Sequence, residues 1–313
     1  MPSLDAAVVA ALPRDVENVS VTHHGGSGFA STFKITTDSR VFFMKTGRGD
    51  AARIMFAGEY ESLNAIHAVD SSLCPAAVAH GALADTPNSF FLVTEFLHMG
   101  RGVTSSTVRS LAVKLANLHS TPAPSDGKFG FPVTTCCGST PQPNEWAASW
   151  PEFYANNRLR FILQQCDADD ELAVAVERTA SEVVPRLLGR LNIRPVVVHG
   201  DLWSGNKGTA VFDRQDAEDV VENVVFDPAV CYGHSEYDLG IMKMFGGFST
   251  AFFDEYHGLL PKQDPVKEYE DRVELYELYH HLNHYALFGG SYRGGAMQIM
   301  ARLLRKYGDP SHV

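Results

Sequence analysis

The chain has 313 residues, with 26 lysines and arginines against 37 aspartates and glutamates, so its formal net charge is −11. A hydrophobic content of 45% and a charged content of 20% exclude a disordered or fibrous protein and predict a folded chain with a large core. The negative charge argues against nucleic acid and anionic membranes as partners, because long-range repulsion opposes their approach. No apolar run approaches the roughly 20 residues that span a bilayer.

The cysteines and the first residues bear on the cellular compartment. Five cysteines form an odd number without the spacing of a metal site, which predicts free thiols in a reducing compartment. Residues 1–5 lack the basic region and apolar core of a secretion signal. We therefore expect a cytoplasmic protein with no nucleic-acid or membrane partner, while the oligomeric state is left open by the sequence.

The first third of the chain alternates short strands with one long helix. After a short helix over 5–12, the pattern predicts strands at 19–22, 32–37 and 41–45, a helix over about 51–68, and a strand at 89–96. We predict that residues 1–97 form one lobe.

From about residue 105 the pattern becomes helical. Ser105 or Ser106 is expected to cap a helix that carries Val108, Leu111 and Leu115 at helical spacing. The segment 120–145 is predicted to be a long loop, and 196–228 an irregular region with small strands. Further helices are predicted near 151–166, 169–192, 235–245, 249–258, 266–287 and 295–307. A strand-rich lobe followed by a helical lobe, residues 98–313, predicts an α+β fold.

The most specific motif is the octapeptide His-Gly-Asp-Leu-Trp-Ser-Gly-Asn at 199–206, which follows an apolar strand. Asn206 stands five positions after Asp201, and Asp227 ends a second apolar strand. This spacing suits phosphoryl transfer, in which one carboxylate orients the attacking hydroxyl while an amide oxygen and a second carboxylate hold a metal ion. A turn with structural Asp and Asn is the alternative for Asp201 and Asn206 taken alone.

A glycine cluster and a lysine in the N-terminal lobe indicate phosphate binding. Gly26, Ser27 and Gly28 lie between two predicted strands, so they form a hairpin that offers backbone N–H groups, and not the strand–turn–helix of a dinucleotide site. Lys45 ends the next strand and needs an anionic partner. We choose Glu59 over Glu61, since Glu59 lies on the apolar face of the following helix.

Residues 94–97 join the two lobes, where concave nucleotide pockets tend to form. Backbone N–H and C=O groups of Glu95, Phe96 and Leu97 are therefore the candidates to read an adenine edge.

With these residues in place, the chain resembles the fructosamine kinase (ketosamine-3-kinase, or protein-ribulosamine 3-kinase) family, which has a bilobal, protein-kinase-like fold. The segments that carry the resemblance are 199–206, 226–230, 232–234, 236–239, 245–248 and 275–284. Related aminoglycoside and choline kinases share the His-Gly-Asp and later Asp elements but generally lack Trp203 and the 279–284 stretch.

The resemblance implies ATP-dependent phosphorylation of the sugar 3-hydroxyl of ketosamines, on proteins or small amines, which leads to deglycation. It implies that Asp201 is the catalytic base, that Asn206 and Asp227 hold Mg²⁺, and that Lys45, fixed by Glu59, contacts the ATP phosphates. Asp238 matches a buried aspartate that braces the catalytic loop.

Two further residues are candidates for substrate contact. Trp203 lies two positions beyond Asp201, so its indole can pack on the C–H surface of a sugar, with loop bracing as the alternative. His284 lies on a predicted helix one turn after His280 and is a candidate for polar contact on the substrate side, with ordinary packing as the alternative; we do not expect these histidines to bind a metal, since no third ligand has suitable spacing.

Three other functions are alternatives to this one. A kinase for another small hydroxylated amine, of the aminoglycoside or choline type, is the first alternative, and an inactive ATP-binding pseudokinase is the second. Retention of Lys45, Glu59, Asp201, Asn206 and Asp227 argues against the second. A serine hydrolase using Ser204 is excluded because the strand-to-helix elbow of that class is missing from the sequence.

Overall fold

The computed structural model describes residues 4–13, 18–26, 28–100, 108–213 and 220–309. Its N-terminal part is built on an antiparallel sheet in the order β1-β2-β3-β5-β4. The strands are β1 Ser20–Gly26, β2 Ser31–Thr36, β3 Val41–Arg48, β4 Ala77–Ala82 and β5 Ser89–Glu95. The sequence predicted four of these; β4 was missed because its alanines and glycine have low strand propensity.

Two helices cover this sheet. Helix α1, Ala6–Ala11, is capped by the Asp5 carboxylate and buries Val8 against the sheet. Helix α2, Gly49–Val69, packs on β4 and β5 and buries Phe56, Leu63 and Ile66. The same inward face carries Glu59, which is 8% exposed, so the helix brings one carboxylate into the protein interior.

A second, three-stranded sheet connects the strand-rich part to the rest of the chain. Its order is β11-β10-β6, with β6 Leu97–Met99, β10 Lys207–Phe212 and β11 Val221–Val225. The predicted lobe boundary at residue 97 therefore falls at the first residue of β6. Across the same region, buried Lys114 donates to the Ser72 carbonyl at 2.7 Å and to Glu222 at 2.6 Å.

The helical part begins later than the sequence suggested. Helix α3, Leu111–Ser120, is capped by Ser110, whose Oγ accepts from the Val113 N–H. Val108 precedes this helix, so the predicted start was wrong, and the proposed caps Ser105 and Ser106 lie outside the described residues. The remaining helices are α4 Trp150–Tyr154, α5 Phe161–Leu163, α6 Asp170–Arg178, α7 Val184–Leu188, α8 Tyr237–Phe245, α9 Thr250–Leu259, α10 Tyr269–Phe288 and α11 Tyr292–Tyr307.

Short irregular helical turns and two small sheets complete this part. Residues Ala155–Arg160 and Thr179–Val183 are π-helical and connect α4 to α5 and α6 to α7. The segment 120–145, predicted as a loop, contains a hairpin of β7 Thr135–Cys137 and β8 Thr140–Gln142. Strand β9, Val196–Val198, pairs with β12, Cys231–Gly233, and leads into the motif at 199–206.

The core of the helical part contains a group of aromatic rings around Trp150, whose ring contacts Phe153, Tyr237 and Tyr276. All five cysteines are free, as predicted. Among the described residues, no helix combines the length and the apolarity needed to cross a membrane.

Candidate active site

The buried carboxylate of Asp238 holds the octapeptide loop in place through hydrogen bonds to its backbone. Both oxygens of the Asp238 carboxylate accept backbone hydrogen bonds, from the His199 N–H at 2.8 Å and the Gly200 N–H at 2.8 Å. His119 also donates to Asp238 at 3.0 Å and accepts from the Tyr256 hydroxyl at 2.8 Å. Burial alone would raise the pKa of Asp238, but these hydrogen bonds and the nearby histidines lower it below its usual value.

Gly200 is required by the close approach of the next strand connection. Its φ is +81°, and an added Cβ would lie 2.0 Å from the Ala229 carbonyl oxygen. The loop therefore passes where only glycine fits, and the following residue, Asp201, is presented at the loop surface.

Asp201 and Asn206 face each other across this loop. The Asn206 amide donates to the Asp201 backbone oxygen at 2.9 Å and to its carboxylate at 3.3 Å. Cys137 approaches from β7, with its thiol 3.5 Å from Asp201 Oδ1. Burial raises the pKa of Asp201 to about 8; the Cys137 hydrogen bond opposes the shift and the charge of Asp227 adds to it.

A buried lysine connects two carboxylates from distant parts of the chain. Lys45 Nζ donates to both Glu59 oxygens at 2.8 Å and to Asp227 Oδ1 at 2.7 Å. Burial alone would lower the pKa of Lys45, but the two carboxylates raise it above its usual value, so the ammonium stays charged. The structure thus brings Glu59 to Lys45, and it adds Asp227, a contact the sequence analysis did not predict.

Asp227 is half exposed and lies two residues after the end of strand β11. Its backbone has φ of +54°, an uncommon conformation for a residue other than glycine. This turn directs the carboxylate back toward Lys45, while the Phe226 N–H is bound by the Asn206 carbonyl at 3.1 Å. A backbone hydrogen bond therefore connects the segment that carries Asp227 to the octapeptide loop that carries Asp201.

Two cavities meet at this cluster. A larger one of about 380 Å³ is lined by residues from β1, β2, β3, α2, the 94–97 connection and the turn that follows β11. A smaller one of about 220 Å³ contains Asp201, Asn206 and Trp203. Lys45, Glu59 and Asp227 line both cavities, so they form a shared wall.

The predicted nucleotide residues divide between these cavities. Glu95, Phe96 and Leu97 line the larger cavity, and Gly28 lines the smaller one. The Glu95 backbone N–H already donates to the Ala76 carbonyl at 2.9 Å. The sequence predicted that this N–H contacts the edge of an adenine base. To do so, it would have to donate to the base and to the Ala76 carbonyl at the same time.

The two glycine-loop residues that remain are placed differently. Gly26 ends β1 and pairs with Ser31 across the hairpin. Its neighbour Gly25 lines the larger cavity, at φ +77°. Ser27 lies outside the described residues.

Trp203 and His284 are connected through a third aromatic ring. Trp203 lines the smaller cavity and is 39% exposed. Its ring centroid is 5.7 Å from that of Phe245, which in turn lies 4.9 Å from the His284 ring. His284 lines neither cavity, and its Nδ1–H donates to the His280 carbonyl at 2.8 Å, so its position is one layer behind the cavity wall.

The hairpin β7–β8 is the part of the site that sequence reasoning missed. Cys136 and Gly138 line the smaller cavity beside Phe29 and Met55. A two-residue Gly-Ser loop is a known hairpin signal, and here it joins Cys137 to Thr140, so the motif at 135–142 could have indicated these strands.

The donors in this cluster suit a nucleotide with magnesium. The carboxylates of Asp201 and Asp227 and the Asn206 side-chain oxygen are the hard ligands that Mg²⁺ prefers. Since the Asn206 amide nitrogen is engaged by Asp201, its oxygen is the atom left to face an ion. The charged Lys45 beside them suits phosphate oxygens.

This architecture, an antiparallel sheet with one inward helix above a helical part, is found in solved phosphotransferases. A complex of aminoglycoside phosphotransferase APH(4)-Ia with AMP-PNP and hygromycin B has a TM-score of 0.56 at 13% identity, covering 92% of this chain and 94% of that one. The fold is therefore the bilobal α+β fold of protein-kinase-like phosphotransferases, which confirms the predicted fold class.

Sequence comparison identifies the family within this class. The fructosamine kinase family model matches residues 4–306, and mouse ketosamine-3-kinase is 36% identical over 312 residues, covering 91% of this chain and 96% of that protein. A candidate fructosamine-3-kinase from Thermobifida fusca has a TM-score of 0.75 at 24% identity, covering 97% of this chain and 99% of that one. The chain belongs to the fructosamine kinase family.

Proposed function

We propose that this protein transfers the γ-phosphoryl group of ATP to the sugar 3-hydroxyl of a ketosamine, on a protein or a small amine, and thereby starts its deglycation. The observation that carries the proposal is that the two cavities share a wall, so that Lys45 and Asp227 each face both cavities. A phosphate donor in the larger cavity and a hydroxyl acceptor in the smaller one would meet at this wall. The mouse relative is named a ketosamine-3-kinase, which supports the acceptor class.

Asp201 is proposed to orient the acceptor hydroxyl and to take its proton. The carboxylate faces the smaller cavity, and Asn206 holds it at 3.3 Å. Phosphoryl transfer needs little covalent chemistry from the protein, so positioning by a fixed carboxylate is the main contribution expected of this residue.

Asn206 and Asp227 are proposed to hold magnesium. When bound, the ion neutralises charge on the phosphates during transfer. Asp227 would then divide its carboxylate between the ion and Lys45, which is one reason for Lys45 to have Glu59 as a second partner.

Lys45 is proposed to grip the phosphates, with residues 1–97 as the nucleotide-binding lobe. Glu59 holds the ammonium at 2.8 Å in the direction of both cavities. An isolated ammonium at this depth would be costly, so Glu59 is a positioning residue whose loss should misplace Lys45.

Trp203 is proposed to contact the sugar of the acceptor. The indole is 39% exposed in the smaller cavity while one edge packs on Phe245. A partly exposed aromatic face beside a catalytic carboxylate suits the C–H surface of a sugar. His284, which lies behind Phe245, would support this wall.

The five free cysteines support a reducing compartment, and we propose the cytoplasm. Fractionation of cells that express the tagged chain would test this location.

The direct test of function is an ATP-consumption assay with magnesium over a panel of acceptors. Fructosyl-lysine, ribulosyl-lysine and a glycated protein should be phosphorylated, with the 3-phosphate detected by mass spectrometry. Choline and an aminoglycoside serve as acceptors of the alternative kinases. Turnover of either of these above the ketosamines, or ATP binding without any turnover, would overturn the proposal.

A further inference from the structure

A second cluster of potential ligands lies behind the proposed catalytic base. Cys137 from β7, Asp201 from the octapeptide loop and His280 from α10 each offer one ligand atom, and the three atoms lie within 4.8 Å of one another. Cys137 is 1% exposed and His280 is fully buried, whereas Asp201 reaches the smaller cavity. The three come from segments more than 60 residues apart, so only the fold brings them together.

His280 is the unusual member of this cluster. Neither its Nδ1 nor its Nε2 has a hydrogen-bond partner among the residues that the structure describes. A buried imidazole with two unpaired nitrogens is costly, which indicates that a partner is missing. Burial lowers the pKa of His280 to about 3, so the ring is neutral near pH 7 and a nitrogen lone pair is available to a metal ion.

We propose that Cys137, Asp201 and His280 form a binding site for a Zn²⁺-type cation that inhibits the enzyme by occupying the carboxylate of Asp201. A thiolate, an imidazole and a carboxylate form a ligand set that zinc prefers, whereas Mg²⁺ prefers oxygen ligands such as Asn206 and Asp227. The thiol is 3.5 Å from Asp201 Oδ1, a separation compatible with two ligands of one tetrahedral ion.

Charge and access also favour such an ion. On binding, the proton of the Cys137 thiol and the proton that Asp201 carries near pH 7, where its pKa is raised to about 8, are released to solvent as the bonds to the metal form, so a dipositive ion, a thiolate and a carboxylate give a neutral group in a buried place. Burial and the Asp201 carboxylate raise the pKa of Cys137 well above its usual value, and the charge of the fully buried Arg158 opposes this shift, so the bound ion itself has to displace the thiol proton. The smaller cavity gives the ion a route to Asp201 and has room for a further ligand at a fourth position.

The test of binding uses Co²⁺ as a spectroscopic substitute for zinc on the full-length, metal-free protein. One equivalent of Co²⁺ is expected to give a thiolate-to-cobalt absorption band, which one equivalent of Zn²⁺ removes. Cys137→Ser should abolish the band, and His280→Gln should weaken Co²⁺ binding by at least about 10-fold. Cys136→Ser is the matched control, since the neighbouring sulfur lies outside the cluster, and it should keep the band.

Each other outcome overturns the site. If no Co²⁺ binds, the cluster holds a buried water at most; if Cys137→Ser or His280→Gln binds Co²⁺ like the wild type, or if Cys136→Ser loses the band, the ligands are wrong. Thermal melting of each variant identifies any that fails to fold, and the zinc displacement on the wild type needs no variant.

The inhibition part of the inference rests on the proposed function, whereas the cobalt measurement does not. Micromolar Zn²⁺ in the presence of excess Mg²⁺ should suppress ketosamine phosphorylation, and a chelator should restore it. Cys137→Ser should be resistant by at least about 10-fold; equal sensitivity would contradict the mechanism. A wild type that never phosphorylates ketosamines would refute the proposed function and leave the cobalt result to decide the site.

Discussion

Two aspartates, one within the octapeptide loop and one beneath it, have pKa values that are shifted in opposite directions. Asp238 is buried beneath the loop, and hydrogen bonds from His119 and from backbone N–H groups lower its pKa. Asp201 lies on the other side of the loop, with one weak thiol donor and one amide donor, and burial raises its pKa to about 8. A carboxylate that is stabilised in its ionised form suits a structural brace, and one whose proton affinity is raised suits proton acceptance.

The first prediction concerns the proposed base. Asp201→Asn should lower kcat by about 10²- to 10⁴-fold, because an amide cannot take the hydroxyl proton. The Kd for ATP should change little, since Asp201 does not line the larger cavity. Initial-rate kinetics and nucleotide-binding calorimetry would measure these two quantities, and near-normal turnover would refute the assignment.

The second prediction concerns Trp203. Trp203→Ala should raise KM for the ketosamine at least about 10-fold and leave KM for ATP within about twofold, because the indole lines only the smaller cavity. Phe245→Leu is the matched control, as it removes the ring that supports the indole at 5.7 Å. Equal effects of both variants on the two KM values would favour loop bracing.

At the scale of single elements, the connection from β9 into the octapeptide depends on one glycine. Gly200→Ala should lower the free energy of unfolding by several kcal/mol, since its Cβ would lie 2.0 Å from the Ala229 oxygen and its φ is +81°. Gly246→Ala has a similar φ of +65° with nothing within 4 Å, so it reports backbone strain alone. Urea unfolding should place the first variant clearly below the second; equal stabilities would contradict the clash.

Strong local patterns made most of these elements predictable. Lys45 and Glu59 could be paired in advance because strand and helix periodicity put both side chains on inward faces. The contact of Lys45 with Asp227 could not be foreseen, since it joins residues 182 positions apart and depends on how the two parts of the chain pack. The start of α3 was misplaced for a related reason: several serines precede the helix, and only the structure shows that Ser110 is the cap.

The cluster of Cys137, Asp201 and His280 is a second case in which contacts between distant residues could not be predicted from the sequence. No third ligand near His280 could be identified from the sequence, because the spacing rules apply to ligands on one element or loop. In the fold, the hairpin β7–β8 supplies Cys137 from 143 positions earlier in the chain. A buried histidine without a hydrogen-bond partner has no signature in the sequence.

At the scale of the whole molecule, a chain of polar groups runs through the aromatic core of the helical part. The Trp150 N–H donates to the Tyr276 hydroxyl at 2.9 Å, the hydroxyl donates to His234 Nδ1 at 2.7 Å, and His234 Nε2–H donates to Gln263 at 2.7 Å. This direction of donation requires a neutral His234. The core is therefore tied to one protonation state of one side chain.

That requirement leads to a pH prediction. Burial lowers the pKa of folded His234 to about 4, with Arg272 and His119 acting in the same direction and Glu236, 4.0 Å away, and Gln263 opposing it. The unfolded value is about 6.5. Below pH 6.5, His234 binds a proton in the unfolded chain but stays neutral in the folded chain. The free energy of unfolding should therefore fall by about 1.4 kcal/mol for each pH unit down to pH 4.

Urea unfolding of the wild type and of His234→Gln from pH 7 to pH 4 would measure this effect. The glutamine variant has no titrating group at this position, so its stability should depend less steeply on pH. Identical slopes for the two proteins would show that His234 does not carry the effect.

The wall of Lys45, Glu59 and Asp227 also has a consequence for ligand design. Because these three side chains line both cavities, a single molecule with an adenosine-like end and a sugar-amine end could pass over them with a short linker. Such a bisubstrate compound would gain affinity from the high effective concentration of its second end. It would also discriminate against kinases that share the nucleotide cavity and differ in the acceptor cavity.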